Sequence, residues 1–183
     1  MNRLEALELV KKHVKNKNLI NHSIAAEVVM RGLAQHFGED EETWGLAGLL
    51  HDVDYDQTKD DPATHSKLGA DMLTDLGVAE DVVYAVKVHN DYHGLPRNSK
   101  LDKALYATDP LTGLIVAGAL IKPEKKLAAI DTPFLVKRFA EKSFARGANR
   151  DQIAACAELD LSLDQFIDIG LTAMQNRAEE LGL

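Results

Sequence analysis

Apolar positions recur at helical spacing along nearly the whole chain. Leu4, Leu7, Val10 and Val14 form one stripe and predict a first helix over about Arg3 to Val14. Asn18 offers an N-cap for a second helix from Leu19 to about Phe37, with Gly38 as its stop. Asp40 caps a third helix that carries Trp44, Leu46, Ala47, Leu49 and Leu50 into His51-Asp52. From Val53 to Ala63 the apolar residues thin out around Asp60-Asp61-Pro62, which reads as a loop. Thr64 then caps a helix from His65 to about Leu76, ended by Gly77. Val82, Val83, Val86 and Val88 would suit a strand, but their spacing and the Ala79-Glu80-Asp81 opening favour a helix over Val78 to His89. Asn90 to Ser99 is a second loop. Lys100 to about Leu120 forms a long apolar helix with Asp109-Pro110 in its middle, where proline should kink or break it. Beyond Pro123 come three more amphipathic segments, the last over Asp164 to Leu181. The pattern predicts an all-α chain with one domain over residues 1–183.

Composition narrows the setting. The 183 residues are 45% hydrophobic and 27% charged, as in an ordinary globular protein. No apolar run approaches the roughly 20 residues needed to span a bilayer, and the acidic amphipathic start lacks the apolar core of a signal peptide. The expectation is a cytoplasmic protein with no membrane partner, and a homodimer is compatible with it. Cys156 is the only cysteine, so neither an intramolecular disulfide nor a thiolate metal cluster is expected. A net charge of −8 argues against a nucleic-acid polymer as partner. It leaves room for a small phosphorylated substrate, because a metal supplies its own local positive charge.

The candidate chemistry gathers where the helices end. The apolar run from Leu46 stops at His51, Asp52, Asp54 and Tyr55, and burying that carboxylate is costly without a compensating cation. Neutral imidazole and carboxylate are both good ligands for first-row metals. His22 falls in the first turns of the second helix, His65 opens the fourth, His89 closes the fifth, and Asp109 sits at the proline of the sixth. Adjacent His51 and Asp52 differ by about 100° around a helix and can approach one ion from two sides. His22, His51, Asp52 and Asp109 would then hold one metal, with His65, His89 and a shared Asp52 holding a second.

The order His22, His51-Asp52, Asp109 resembles the HD superfamily of metal-dependent phosphohydrolases. The strings Asn21-His22-Ser23-Ile24-Ala25-Ala26 and Leu49-Leu50-His51-Asp52-Val53-Asp54-Tyr55 carry the likeness. His65-Ser66-Lys67-Leu68-Gly69-Ala70 and Ala85-Val86-Lys87-Val88-His89 resemble the extra histidine segments of dinuclear members. The resemblance covers residues 18–120 and leaves 121–183 as a C-terminal helical extension. It implies an α-helical bundle that hydrolyses phosphate esters or anhydrides of nucleotides. The chain departs from the HD-GYP phosphodiesterases, with Asp54-Tyr55 after the HD pair and Gly94-Leu95-Pro96 in place of Gly-Tyr-Pro. It also differs after the HD pair from the branch that cleaves diadenosine tetraphosphate, and it looks most like bacterial HDIG-type predicted hydrolases. HD-fold di-iron oxygenases share the ligand order, and a nucleotide-binding protein without turnover is a third reading.

Under the hydrolase reading, two divalent ions (Fe, Mn, Zn, Ni or Mg) polarise the phosphoryl group and activate the attacking water. His51 and Asp52 would then be catalytic as well as ligating. Asp54 would hold a ligand histidine by its second nitrogen or be an ordinary loop acid. His93, in Asn90-Asp-Tyr-His-Gly94, would be a ligand, a hydrogen-bond donor behind one, a substrate contact or a solvated residue. Arg138 and Lys142 are i,i+4 neighbours on a predicted helix, with Arg146 a turn further and Arg150 beyond. Lys142 and Arg146 are therefore the candidate phosphate-binding cations, against a solvated helix face. His13 and His36 read as surface residues.

Overall fold

Capping chemistry sets most helix starts in the computed structural model, which describes all 183 residues. The Asn2 side chain and Glu5 exchange bonds with each other's backbone and open α1 (Arg3–His13). Asn16, two residues earlier than the expected Asn18, caps α2 (Lys17–Phe37), which stops at left-handed Gly38. Asp40 accepts from the Thr43 amide and starts α3 (Glu41–Leu50), as expected. The predicted loop after it contains one turn of helix, α4 (Tyr55–Thr58). Next come α5 (Lys67–Asp75) and α6 (Glu80–Val88), so the β-branched stretch is helical.

Two sequence expectations fail here. Thr64 does not cap α5: its hydroxyl donates to Asp61, and the helix starts at Lys67 behind Ser66, whose φ is +68°. Nor does Pro110 break α7 (Lys100–Leu120), which opens on a Ser99–Asp102 capping box and runs through the proline. An interior proline costs about 3 kcal/mol. The burial of Leu105, Leu111, Leu114 and Ile115 on α7 opposes that cost.

Helix α2 lies against α3, α7 and α10, and α7 against α6 and α9 as well. The crossing of α3 on α2 is closest at Gly48, where an added Cβ would lie 2.7 Å from the backbone of Ala26 and Glu27. That approach brings the end of α3, and His51 with it, to the start of α2 and His22. After Ile121 the chain forms α8 (Thr132–Ala140), α9 (Arg150–Ala154), α10 (Leu163–Gln175) and α11 (Ala178–Leu181), so the last predicted helix is two. Phe166, Ile167, Leu171 and Met174 of α10 join Met30, Leu33, Leu49 and Leu111 in one continuous core. The fold is all-α, and no helix is long and apolar enough to cross a membrane.

The basic stripe is not formed. Helix α8 ends at Ala140 and Glu141 is extended, so Lys142 and Arg146 lie exposed in the turns beyond it. The Arg150 guanidinium donates to the carbonyls of Phe139, Ala145 and Ala148 and ties that loop down. Arg138 pairs with Glu141 at 2.9 Å.

Candidate metal centre

Four imidazole rings meet where α2, α3, α6 and α7 converge, beside the loop before α5. Ring centroids are 5.0 Å apart for His22 and His51, 5.1 Å for His51 and His89, and 5.1 Å for His65 and His89. Each ring has its Nδ1 engaged on the far side. His51 Nδ1 donates to the Gly48 carbonyl at 2.8 Å and His89 Nδ1 to the Val86 carbonyl at 2.6 Å. His65 Nδ1 donates to Asp54 Oδ1 at 2.9 Å, and His22 Nδ1 to Thr112 Oγ1 at 2.9 Å. The Thr112 hydroxyl itself donates to the Asp109 carbonyl, so a lone pair is what it offers His22. With the proton on Nδ1 throughout, all four Nε2 atoms turn lone pairs inward.

The carboxylates complete two donor sets. His22 Nε2 lies 3.1 Å from His51 Nε2, 3.1 Å from Asp109 Oδ1 and 3.6 Å from Asp52 Oδ2. His51 Nε2 is 3.5 Å from the same Asp52 oxygen. The other oxygen, Oδ1, faces His65 Nε2 at 3.4 Å and His89 Nε2 at 3.6 Å. Ligands about 2.1 Å from one ion at near-tetrahedral or octahedral angles stand about 3.0–3.5 Å apart, and the donor atoms of His22, His51 and Asp109, and those of His51, Asp52 and His89, lie close enough together that each group could hold a metal ion. Two imidazole lone pairs facing at 3.1 Å, and a buried His89 Nε2 with no hydrogen-bond partner, also call for one.

Protonation without the ion follows from the same proximity. Burial disfavours a charged His51, but Asp52 and Asp109 outweigh it and push its pKa up to about 9. Burial likewise opposes the Asp52 carboxylate, and His51, His89 and His22 hold its pKa below the usual range. Asp109 is lowered against burial by His22 and His51. Burial raises the Tyr55 phenol, and Asp52 and Asp109 add to it. Tyr55 therefore stays protonated, with its ring edge on His65.

All six expected ligands come together. Asp54, fully buried, also accepts from the amides of Ser66 and Gly69 at 2.8 and 2.9 Å, and so caps α5 in place of Thr64. His93 does not join the cluster. Its Nε2 donates to the His65 carbonyl at 2.8 Å, beside Asn90, which bonds the same carbonyl and that of Pro62. It braces the loop carrying His65. Lys142 and Arg146 make no ion pair or side-chain hydrogen bond, and none links them to the cluster. Thr112 is absent from the sequence-based set, although its place one turn after Asp109 on α7 is a readable signal.

A helical bundle that turns four histidines and two aspartates onto one point defines a class of metal-centred proteins. The model of the HD domain matches residues 19–119, and the chain belongs to the HD-domain family. It is 30% identical over 98 residues to ribonuclease Y of Oleidesulfovibrio alaskensis, covering 54% of this chain and 18% of that protein. It is 28% identical over 141 residues to ribonuclease Y of Desulfotalea psychrophila, covering 74% of this chain and 26% of the relative. The chain thus matches about a fifth to a quarter of these relatives' length. No solved structure matches it.

Proposed function

We propose that this HD protein is a divalent-metal-dependent phosphohydrolase that holds two ions and cleaves a phosphomonoester or phosphoanhydride in a small, nucleotide-like substrate. The observation that carries the reading is the division of Asp52. One carboxylate oxygen faces His22 and His51, which also face Asp109, and the other faces His65 and His89. A carboxylate so shared suits a bridge between two cations. His22, His51, Asp52 and Asp109 would hold one ion, and His65, His89 and Asp52 the second.

When bound, such ions supply Lewis acidity toward the phosphoryl oxygens and make water a nucleophile near neutral pH. The chain's own part is to hold the imidazoles neutral at Nε2, through Gly48, Val86, Asp54 and Thr112, and to leave an approach. The approach lies on the side of Asp109 and His22, whose side chains are 31% and 20% exposed against 0% for His51. No serine or cysteine stands among the donors as a covalent nucleophile.

The relatives named ribonucleases break phosphorus–oxygen bonds, which favours phosphoryl chemistry over an HD-fold oxygenase. The net charge of −8 favours a small substrate over an RNA polymer. The test is elemental mass spectrometry on protein purified without a chelating column, followed by phosphate release from nucleotides and from RNA. About two ions per chain and activity on nucleotides are expected, with both lost in Asp52→Ala while helical content stays. Unaltered metal content in Asp52→Ala would overturn the site, and RNA cleavage without nucleotide turnover would overturn the substrate class.

A further inference from the structure

Next to His22, between α2, α7 and the turn that follows α11, lies a pocket of about 490 Å³. Ala25, Val116, Leu120 and Leu181 supply apolar wall, and the exposed Asn18 and Asn21 stand on the same pocket. No lysine, arginine, aspartate or glutamate side chain lines it, and His22 and Thr112 connect it to the donor cluster. A second phosphate would find no cation there, whereas an uncharged organic group would find contact area and two amides able to donate or accept.

Gly113, on the wall of the same pocket, is the second observation. It sits inside the 21-residue α7, where glycine weakens a helix relative to alanine. No close contact requires it: an added Cβ would meet nothing within 4 Å. Its backbone is not left-handed either. Gly113 is exposed and lines the pocket, beside Thr112 and one turn from Asp109. A glycine that no packing contact requires leaves this wall of the pocket free of any side chain.

We infer that this pocket is the subsite for the uncharged, largely apolar half of the substrate, and that Gly113 sets how large that half can be. The inference rests on the phosphohydrolase reading and narrows its substrate to esters with one phosphoryl centre and a ring-sized organic group. Neither a polyphosphate tail nor a second charged group fits these walls.

The test uses full-length protein loaded with manganese and two non-hydrolysable probes, 1-naphthylphosphonate and methylphosphonate, titrated calorimetrically. The wild type should bind the naphthyl probe at least about tenfold more tightly. Gly113→Met should erase that preference at unchanged metal content. Gly113→Ala should keep part of the preference and raise the melting temperature by about 2–4 °C, showing that position 113 accepts a side chain. Equal affinities in the wild type, or a preference that survives Gly113→Met, would overturn the subsite. Metal content on the same samples separates the failures. Retained metal with no naphthyl preference sinks the subsite alone, and absence of both metal and phosphonate binding sinks the phosphohydrolase reading with it.

Discussion

Replacing Asp54 by asparagine should remove one metal ion while leaving the fold in place. Asp54 Oδ2 accepts from the Ser66 and Gly69 amides, and Oδ1 accepts from His65 Nδ1. An asparagine of the same shape keeps its carbonyl oxygen on the two amides, because both can only donate. Its NH2 group then faces His65 Nδ1, which must become an acceptor. The imidazole proton moves to Nε2, the nitrogen aimed at Asp52 and at the place of the proposed second ion, and the lone pair that would bind metal is lost. The stability cost should be near 1 kcal/mol, the difference between a charged and a neutral acceptor, or a fall of about 2–4 °C in melting temperature. Affinity for the second ion should fall about 10–100-fold.

Asp54→Ala is the contrasting case. It leaves two buried amides unpaired at about 1–3 kcal/mol each, a loss of about 2–6 kcal/mol against a total of about 5–15 kcal/mol. Ser66 is moreover held at a φ of +68°, and with Asp54 gone its amide loses its partner, leaving its hydroxyl bond to the Lys87 carbonyl and the Ala70 amide on its own carbonyl to keep it there. Thermal melts and metal titrations followed by elemental analysis read both quantities. Two ions per chain at wild-type affinity in Asp54→Asn would refute the tautomer argument. Equal stability of the Asn and Ala variants would refute the role of Asp54 as the cap of α5.

Three further expectations can be checked with the same tools. Thr112→Val removes the acceptor for His22 Nδ1 at nearly constant volume, and should weaken the first ion about 10–100-fold with far-ultraviolet circular dichroism unchanged; wild-type affinity would return Thr112 to a purely helical role. Gly48→Ala puts a methyl group against the α2 backbone, which cannot yield as a side chain tip would, and should cost about 1–3 kcal/mol in urea unfolding as well as displacing His51; a neutral result would mean the α2–α3 crossing is looser than 2.7 Å implies. Because His51 in the metal-free protein is raised from 6.5 to about 9, its contribution to metal-free stability is complete below 6.5 and fades as pH rises through 9. Metal must displace that proton, so affinity should climb with pH across the same window by up to about tenfold per unit, and a flat profile would contradict it.

The helices were readable because amphipathic spacing and local caps carry their own signal. The failures fall where distant residues replace local ones. Thr64 is the nearest residue suited to cap α5, but the helix takes its cap from Asp54, twelve residues before Ser66. Gly69 in the same string leaves room for it, since a Cβ there would lie 3.3 Å from the Asp54 carboxyl carbon. Thr112 reaches His22 across ninety residues, and nothing periodic announces that α7 will lie beside the start of α2. The basic stripe from Arg138 to Arg146 assumed one helix through Glu141, which is extended. Arg138 and Arg150 answer local groups instead, an acid three residues on and a set of loop carbonyls.

The same division runs through the donor cluster itself. His51 and His89 each sit one residue past the end of a helix, where the last carbonyls have no partner along the chain. Each donates Nδ1 back to the carbonyl three residues earlier, so its orientation is settled within a single turn. Their helix-end position was therefore enough to single them out from sequence. His22 and His65 have no such local acceptor and depend on side chains brought from elsewhere, Thr112 and Asp54. Metal affinity should accordingly be robust to changes in the surfaces of α3 and α6 and sensitive to whatever moves α7 against α2 or the 54–69 loop against α6. The two tertiary anchors also govern different donor sets, Thr112 the one with Asp109 and Asp54 the one with His89. Substituting them one at a time should thus empty the two halves separately, which loss of the shared Asp52 cannot do.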